Sequence, residues 1–253
     1  MLNKIRTPKV LVARDVRSLI PRASEAGLIR IGPRQDGGYV VPAAGLQELS
    51  DLLSAGVDTS WAFEIDIQRL TQCRIHLIDG SMSRPHDLPG DFTFRQHWLR
   101  AESGHESIDL HSWIKTLNIT DSNRLGLQMD IEQEEWEVLR STPPEVLQQF
   151  QFIVVEIHGI QNIQRLGYCM RRIHPALKRL TRDFAVVHTH PNNCCGSTWV
   201  KGILIPHVLE VSLLRKDLVD PRYQDIYFGE ALDAECVPSN PHIDIASWAA
   251  LAH

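Results

Sequence analysis

The feature that most constrains this chain is a series of apolar runs of strand length, LQELSDLLSAGV, RIHLID, RLGLQMDIE, FIVVEIHG and FAVVHTH, separated by stretches with helical spacing. The separating stretches are SWAFEIDIQRLTQC, SIDLHSWIKTLN, EEWEVLRSTPPEVLQQF, which Pro143 and Pro144 interrupt, and RLGYCMRRIHPALKRL. Strands that read as continuous apolar runs are covered on both faces, and strands joined through helices lie parallel. The pattern therefore predicts an α/β fold with a mostly parallel, doubly wound sheet, to which FTFRQHWL adds a strand. GILIP and VLEVSLLR follow without a helix between them, which predicts a final pair of strands and an antiparallel edge, for about seven core strands in all. In such a sheet the ligand lies beyond the carboxyl ends of the strands.

Residues 1–44 read as a small N-terminal cap or lid on a main domain of residues 45–253. The cap has a weak helical pattern at Val12, Val16, Leu19 and Ile20, then LIRIGPRQDGGYVVP, which predicts two short strands about a glycine-rich turn.

A length of 253 residues with 43% hydrophobic content suits one substantial core. The net charge is -5 and no dense basic run tracks a phosphate backbone, so nucleic acid is not an expected partner. No stretch reaches the roughly 18 apolar residues of a membrane span. The start lacks an apolar signal core, and a cytoplasmic location is expected. Cys73, Cys169, Cys194, Cys195 and Cys236 form no CxxC pair and are expected as reduced thiols, with the adjacent Cys194 and Cys195 small and buried. Trp98, Trp113, Trp136 and Trp199 are expected in the core or at a rim, Trp98 being the one placed to stack on an adenine.

SAGVDTSWAFE puts Ser54, Ala55 and Gly56 directly after an apolar strand, where a charged cofactor approaches the backbone; an ordinary strand-to-helix turn reads the same way. Asp79 closes the next strand about twenty residues on, where a carboxylate accepts from both hydroxyls of a ribose or caps the following turn. The chain has neither GxGxxG nor GxxxxGK[ST], so the phosphates of dinucleotides and triphosphates lack their usual cradles. S-adenosylmethionine (SAM) carries no phosphate; Glu64, Asp58 or Asp130 would meet its ammonium group.

In order and spacing, LLSAGVDTSWAFE, HLIDGS, LQMDIEQEEWEVL and VVEIHG resemble FkbM-like SAM-dependent methyltransferases, and RIGPRQDGGYVV with HTHPNN resembles a related branch that carries a DGG turn and an HxNN segment. The resemblance runs from about Arg30 to Lys216, with Gln133 standing where such proteins usually carry glycine. It implies a Rossmann-like class I methyltransferase fold, SAM as donor and O-methylation of a sugar, glycan or sugar-containing metabolite. By position it assigns Ser54, Gly56 and Glu64 to the SAM loop, Asp79 to the ribose and Asp130 to the active-site mouth, with Asp36, Gly37, Gly38 and Tyr39 as a lid near the methionine end.

Three pairs, Asp130 and Glu132, Glu156 and His158, His188 and His190, are spaced i, i+2 at strand ends, so each projects to one side. An alcohol acceptor must lose its proton as it is methylated, which points to His158 as base, with His190 second and Asn192 and Asn193 orienting acceptor hydroxyls. A second use of the same residues is a divalent metal, Mg or Mn, on Asp130, Glu156 and His158. A metal-dependent hydrolase or lyase without SAM, and an inactive methyltransferase-fold binding module, stay open beside the methyltransferase reading. The oligomeric state is not legible.

Overall fold

The computed structural model describes residues 5–22, 27–57, 59–119, 121–222, 225–228 and 231–252. The chain opens with α1 (Lys9–Arg17), whose buried Val12 and Val16 continue into buried Leu19 and Ile20. A hairpin of β1 (Leu28–Ile31) and β2 (Tyr39–Pro42) follows, as the glycine-rich turn predicts. The core then alternates through β3 (Asp51–Ala55), α2 (Ala62–Thr71), β4 (Arg74–Ile78) and β5 (Thr93–Arg95). Next come the small parallel pair β6 (Trp98–Leu99) and β7 (Ser107–Ile108), α3 (Leu110–Thr116) and β8 (Leu125–Met129). The remainder is α4 (Glu135–Ser141), α5 (Pro144–Leu147), β9 (Phe150–His158), α6 (Leu166–Tyr168), a π-helical turn (Cys169–Ile173), α7 (His174–Asp183), β10 (Phe184–Val200) and β11 (Ile203–Arg215).

These strands form a seven-stranded sheet in the order β10-β11-β9-β8-β3-β4-β5. The β3–β4, β4–β5, β3–β8 and β8–β9 pairs are parallel, while β11 runs antiparallel to both β9 and β10. The antiparallel strand thus lies one place in from the edge, and β10, running with β9, forms the edge itself. FTFRQHWL is divided, β5 joining the main sheet and β6 pairing with β7 outside it. GILIP and VLEVSLLR are one strand, β11, whose hairpin partner is β10. Pro206 did not end it because Pro206 pairs only with Ser197 of β10; pairing with β9 begins at Val208, so its missing N–H leaves no gap in the central ladder.

Each strand face has its own cover. Leu53, Leu127, Met129, Ile153, Val155, Leu209 and Val211 pack with Val12, Trp113, Trp136, Leu177 and Trp248 in one core. Leu52, Leu77, Phe152 and Val154, from the opposite face, pack with Phe63 and Ile67 of α2 and with Ile31, Tyr39 and Val41 of the hairpin. This hairpin face is the one that turns polar toward the carboxyl ends of the strands. Among the described residues no helix is long and apolar enough to cross a membrane.

Candidate functional site

β3 leads to β4 and β5 on one side and, after α3, to β8 and β9 on the other, so the chain changes direction across the sheet between β3 and β8. A cavity of 520 Å³ opens there, lined by Gly56, Asp79, Gly80, Trp98, Asp130 and Glu132, a size suited to a small ligand. A smaller hollow of 80 Å³ shares Asp36, Gly56 and Asp130 with it and reaches Gly37, Tyr39, Glu64 and Gln128. Gly56 has φ +75, and a Cβ there would lie 1.6 Å from the Asp130 carbonyl oxygen, so only glycine lets the two loops close. Gly80 is pressed by the Trp98 indole, whose nearest atom would be 2.2 Å from an added Cβ. Trp98 therefore forms a cavity wall.

Asp79 already ties this rim together. Its Oδ2 accepts from the Val57 N–H at 3.1 Å, and its Oδ1 accepts from the Ser81 N–H at 2.7 Å and the Ser81 hydroxyl at 2.6 Å. Deeper in, Ser54 Oγ lies 2.5 Å from Glu64 Oε1 and 2.7 Å from Gln128 Oε1. One hydroxyl hydrogen cannot serve both oxygens, and burial pushes the Glu64 carboxyl up to about 7, so a protonated Glu64 donates to Ser54 while Ser54 donates to Gln128. Tyr39 stacks edge-on to Phe63, 5.3 Å between centroids, with its hydroxyl toward Gln128. Asp58 lies outside the described residues.

At the next two strand ends, acids surround one histidine. His158 Nδ1 is 3.0 Å from Glu135 Oε1, while Nε2 faces Glu132 Oε2 at 3.7 Å, Glu156 Oε1 at 3.8 Å and Asp130 Oδ1 at 3.9 Å. Glu135 is wholly buried at the start of α4 and its Oε1 also accepts from the Ile131 and Gln133 N–H groups, so one carboxylate folds the β8–α4 turn and fixes the imidazole. The Trp136 indole N–H donates to the His158 carbonyl at 2.9 Å, pinning the end of β9. Asp130 and Glu132 lie past the end of β8, with Glu132 (φ 56) and Gln133 (φ 81) in the left-handed region, so the turn rather than strand alternation brings both to His158.

Electrostatics make this a store of protons. Burial raises the Asp130 and Glu156 carboxyls, and their mutual repulsion raises Glu156 further. Burial opposes charge on His158, but Glu135, Asp130 and Glu132 outweigh it and push the imidazole up to about 9. Asp130 Oδ1 and Glu156 Oε2 are buried without a hydrogen-bond partner among the described residues. Asp130, Glu156 and His158 offer ligand atoms within 4.8 Å of one another, which fits a divalent cation drawn in by small side-chain rotations.

His188 and His190 belong to a second cluster. Asp233 Oδ1 is 2.8 Å from His188 Nε2 and its Oδ2 is 3.1 Å from His190 Nδ1; burial works against the Asp233 charge, but the two histidines bring it to about 2. Burial pushes Glu210 up to about 7, His190 and Arg30 easing the shift, and Glu210 stands between His190 and Glu156 in the strand register. Asn192 donates to Glu156 Oε1 at 2.9 Å and accepts from the Cys194 N–H, so it positions Glu156. The Asn193 amide is bound to the backbone of Val237 and Asn240. Both asparagines are thus committed to internal bonds instead of facing the cavity.

Cys194 and Cys195 are exposed at the β10 irregularity, against the expectation that they are buried, and Trp199 is 68% exposed on the arm where β10 and β11 outrun the sheet. All five cysteines are free thiols. Glu135, Gln128, Glu210, Arg30 and Asp233 had no assigned role in the sequence, although Gln128 and Glu210 stand out as polar residues inside apolar runs. No protein-family model matches the chain, and no curated protein matches it.

Proposed function

We propose that this protein is a SAM-dependent O-methyltransferase acting on a hydroxyl of a sugar, glycan or sugar-containing metabolite, with a divalent cation, Mg or Mn, held by Asp130, Glu156 and His158. The observation that carries the reading is the 520 Å³ cavity, which joins the close backbone approach at Gly56 and the strand-end carboxylate of Asp79 to Asp130 and Glu132, the acids of the cluster that line it. A seven-stranded, mostly parallel sheet is the frame such a reading requires.

When bound, SAM would supply a methyl group on a sulfonium whose departure as a neutral thioether needs no acid. A divalent cation would lower the pKa of an acceptor hydroxyl. The remaining work falls to the chain. Asp79 accepts from ribose hydroxyls while holding the two loops, and the protonated Glu64 closes the far end without a buried charge. Glu135 keeps His158 Nε2 turned to the cluster. A ligand nitrogen cannot also be the base, so Glu132, the exposed carboxylate at 3.7 Å from Nε2, takes the hydroxyl proton to solvent as the acceptor oxygen bonds to the methyl carbon.

Calorimetry with S-adenosylhomocysteine tests the donor half. The wild-type chain is expected to bind one equivalent, and Asp79→Ala to weaken it at least tenfold, the loss of about 1.5 to 3 kcal/mol for a charged acceptor. Asp79→Asn, which keeps one acceptor oxygen for the loops, separates loop damage from ribose contact. A wild-type chain that does not bind would overturn the reading in favour of a metal-dependent hydrolase.

A further inference from the structure

Outside the cluster, the described residues form a second feature of opposite sign. A hollow of 530 Å³ is lined by Arg165, Tyr168, Arg171 and Arg172, in a chain whose net charge is -5. The local fold gathers them: Arg165 precedes α6, and the π-helical turn that follows widens the helix, so that Arg171 and Arg172 stand over the same opening as Tyr168. Arg6 is brought alongside by a backbone bridge to Arg165, its guanidinium bonded to Gln164.

Arg172 shares its counter-charge. Arg172 meets Glu137 at 2.6 Å, but Glu137 also pairs with Arg140 at 2.5 Å, so one carboxylate serves two guanidinium groups. Arg165 has no carboxylate partner among the described residues. The other arginine-lined hollow differs in this respect, since Arg69 pairs with Asp66 at 3.2 Å, Arg74 with Asp51 at 2.7 Å, and Asp91 lines it as well. The Arg172 guanidinium lies 5.2 Å over the Tyr168 ring, which holds its planar fork in place. Guanidinium forks match the paired oxygens of phosphate, and a monovalent carboxylate would satisfy fewer of their donors.

We infer that Arg165, Arg171 and Arg172, with Tyr168, form a binding site for a phosphorylated small molecule, a phosphomonoester or a diphosphate. The anion site does not depend on the methyltransferase reading.

The test is titration of the full chain with inorganic pyrophosphate at fixed ionic strength. One saturable site is expected, with its Kd raised at least tenfold in Arg165→Ala/Arg171→Ala and unchanged in Arg69→Ala. S-adenosylhomocysteine affinity should be the same in wild type and double variant, so a failed donor site and a failed anion site are told apart. Should the double variant unfold, Arg165→Glu alone must weaken pyrophosphate, because its side chain is exposed at the mouth. Absence of saturation, an unchanged Kd in the arginine variants, or binding to anionic phospholipid vesicles without binding of pyrophosphate overturns the site.

Discussion

Glu64 carries an unusual burden for a single side chain, since it is a carboxyl wholly enclosed beside two polar but uncharged partners, Ser54 and Gln128. In the unfolded chain it ionises near 4.5, whereas in the fold burial holds its proton until about 7. Between those values the folded state binds more protons, so its contribution is full below 4.5, declines as pH rises through the window and is flat above about 7. The span corresponds to about 3 kcal/mol for a shift of this size. Glu64→Gln keeps the hydrogen bonds and has no charge to bury. Urea midpoints of the two proteins are therefore expected to diverge in favour of the variant from pH 5 to 7.5, with a constant difference below pH 4.5. Parallel profiles would mean that Glu64 is hydrated and ionised. In the β8–α4 turn, Gln133 has a φ of 81 that is costly for a non-glycine residue, and the Glu135 carboxylate that binds its N–H holds it there.

Among elements, the β1–β2 hairpin depends on one residue at its base. Arg30 Nη2 donates to the Pro33 and Gly38 carbonyls at 3.0 Å each, and Nη1 donates to the Leu232 carbonyl at 3.5 Å, so a single guanidinium shapes the turn that carries Asp36, Gly37 and Tyr39 into the smaller hollow. It is also a compensating charge for buried Glu210. Arg30→Ala is expected to cost about 3 kcal/mol, from lost charged hydrogen bonds and an orphaned acid. Proteolysis should then start within residues 33–38, and S-adenosylhomocysteine affinity should fall; unchanged stability and protease resistance would refute the brace. The hairpin, β3, β4, β8 and β9 were legible because sheet strands buried on both faces leave unbroken apolar runs, and a DGG turn has few other uses. β10 was not legible in the same way. Val186 packs in the helix-side core and Val187 with Leu28 and Val40 of the hairpin and Leu214, and the irregularity between Val186 and His188 puts His188, His190 and Asn192 on the face of Glu156. Strict alternation from Val186 would have sent them to the other side. A bulge leaves no composition mark, which is why the histidines could be paired in the sequence while their partner Asp233 could not be named.

At the scale of the whole molecule, the sheet gathers Asp130, Glu132, Glu135 and Glu156 from two neighbouring strand ends and the turn between β8 and α4, with Glu210 one strand further on. Enclosing Asp130, Glu135, Glu156 and Glu210 works against folding unless protons or a cation compensate, and among the described residues His158, His190 and Arg30 are internal cations at hand. The fold therefore has more to gain from a divalent ion than its modest net charge of -5 suggests. A ligand that binds only the folded state stabilises it by about 2.7 kcal/mol at one hundred times its Kd. For a chain of this length that corresponds to a rise of roughly 5 to 10 °C in Tm. Mn is expected to produce such a saturable rise, and EDTA to reverse it. Glu156→Gln and His158→Ala should abolish it, because the first removes a ligand's charge and the second a ligand atom; Glu235→Gln, an acid beside the Asp233 cluster, should leave it intact. Equal shifts in all four proteins would assign the effect to general charge screening, and no shift in wild type would remove the cation from the site. The Mn spectrum separates these outcomes from simple loss of stability, since a bound ion broadens its resonance whatever the Tm of the variant.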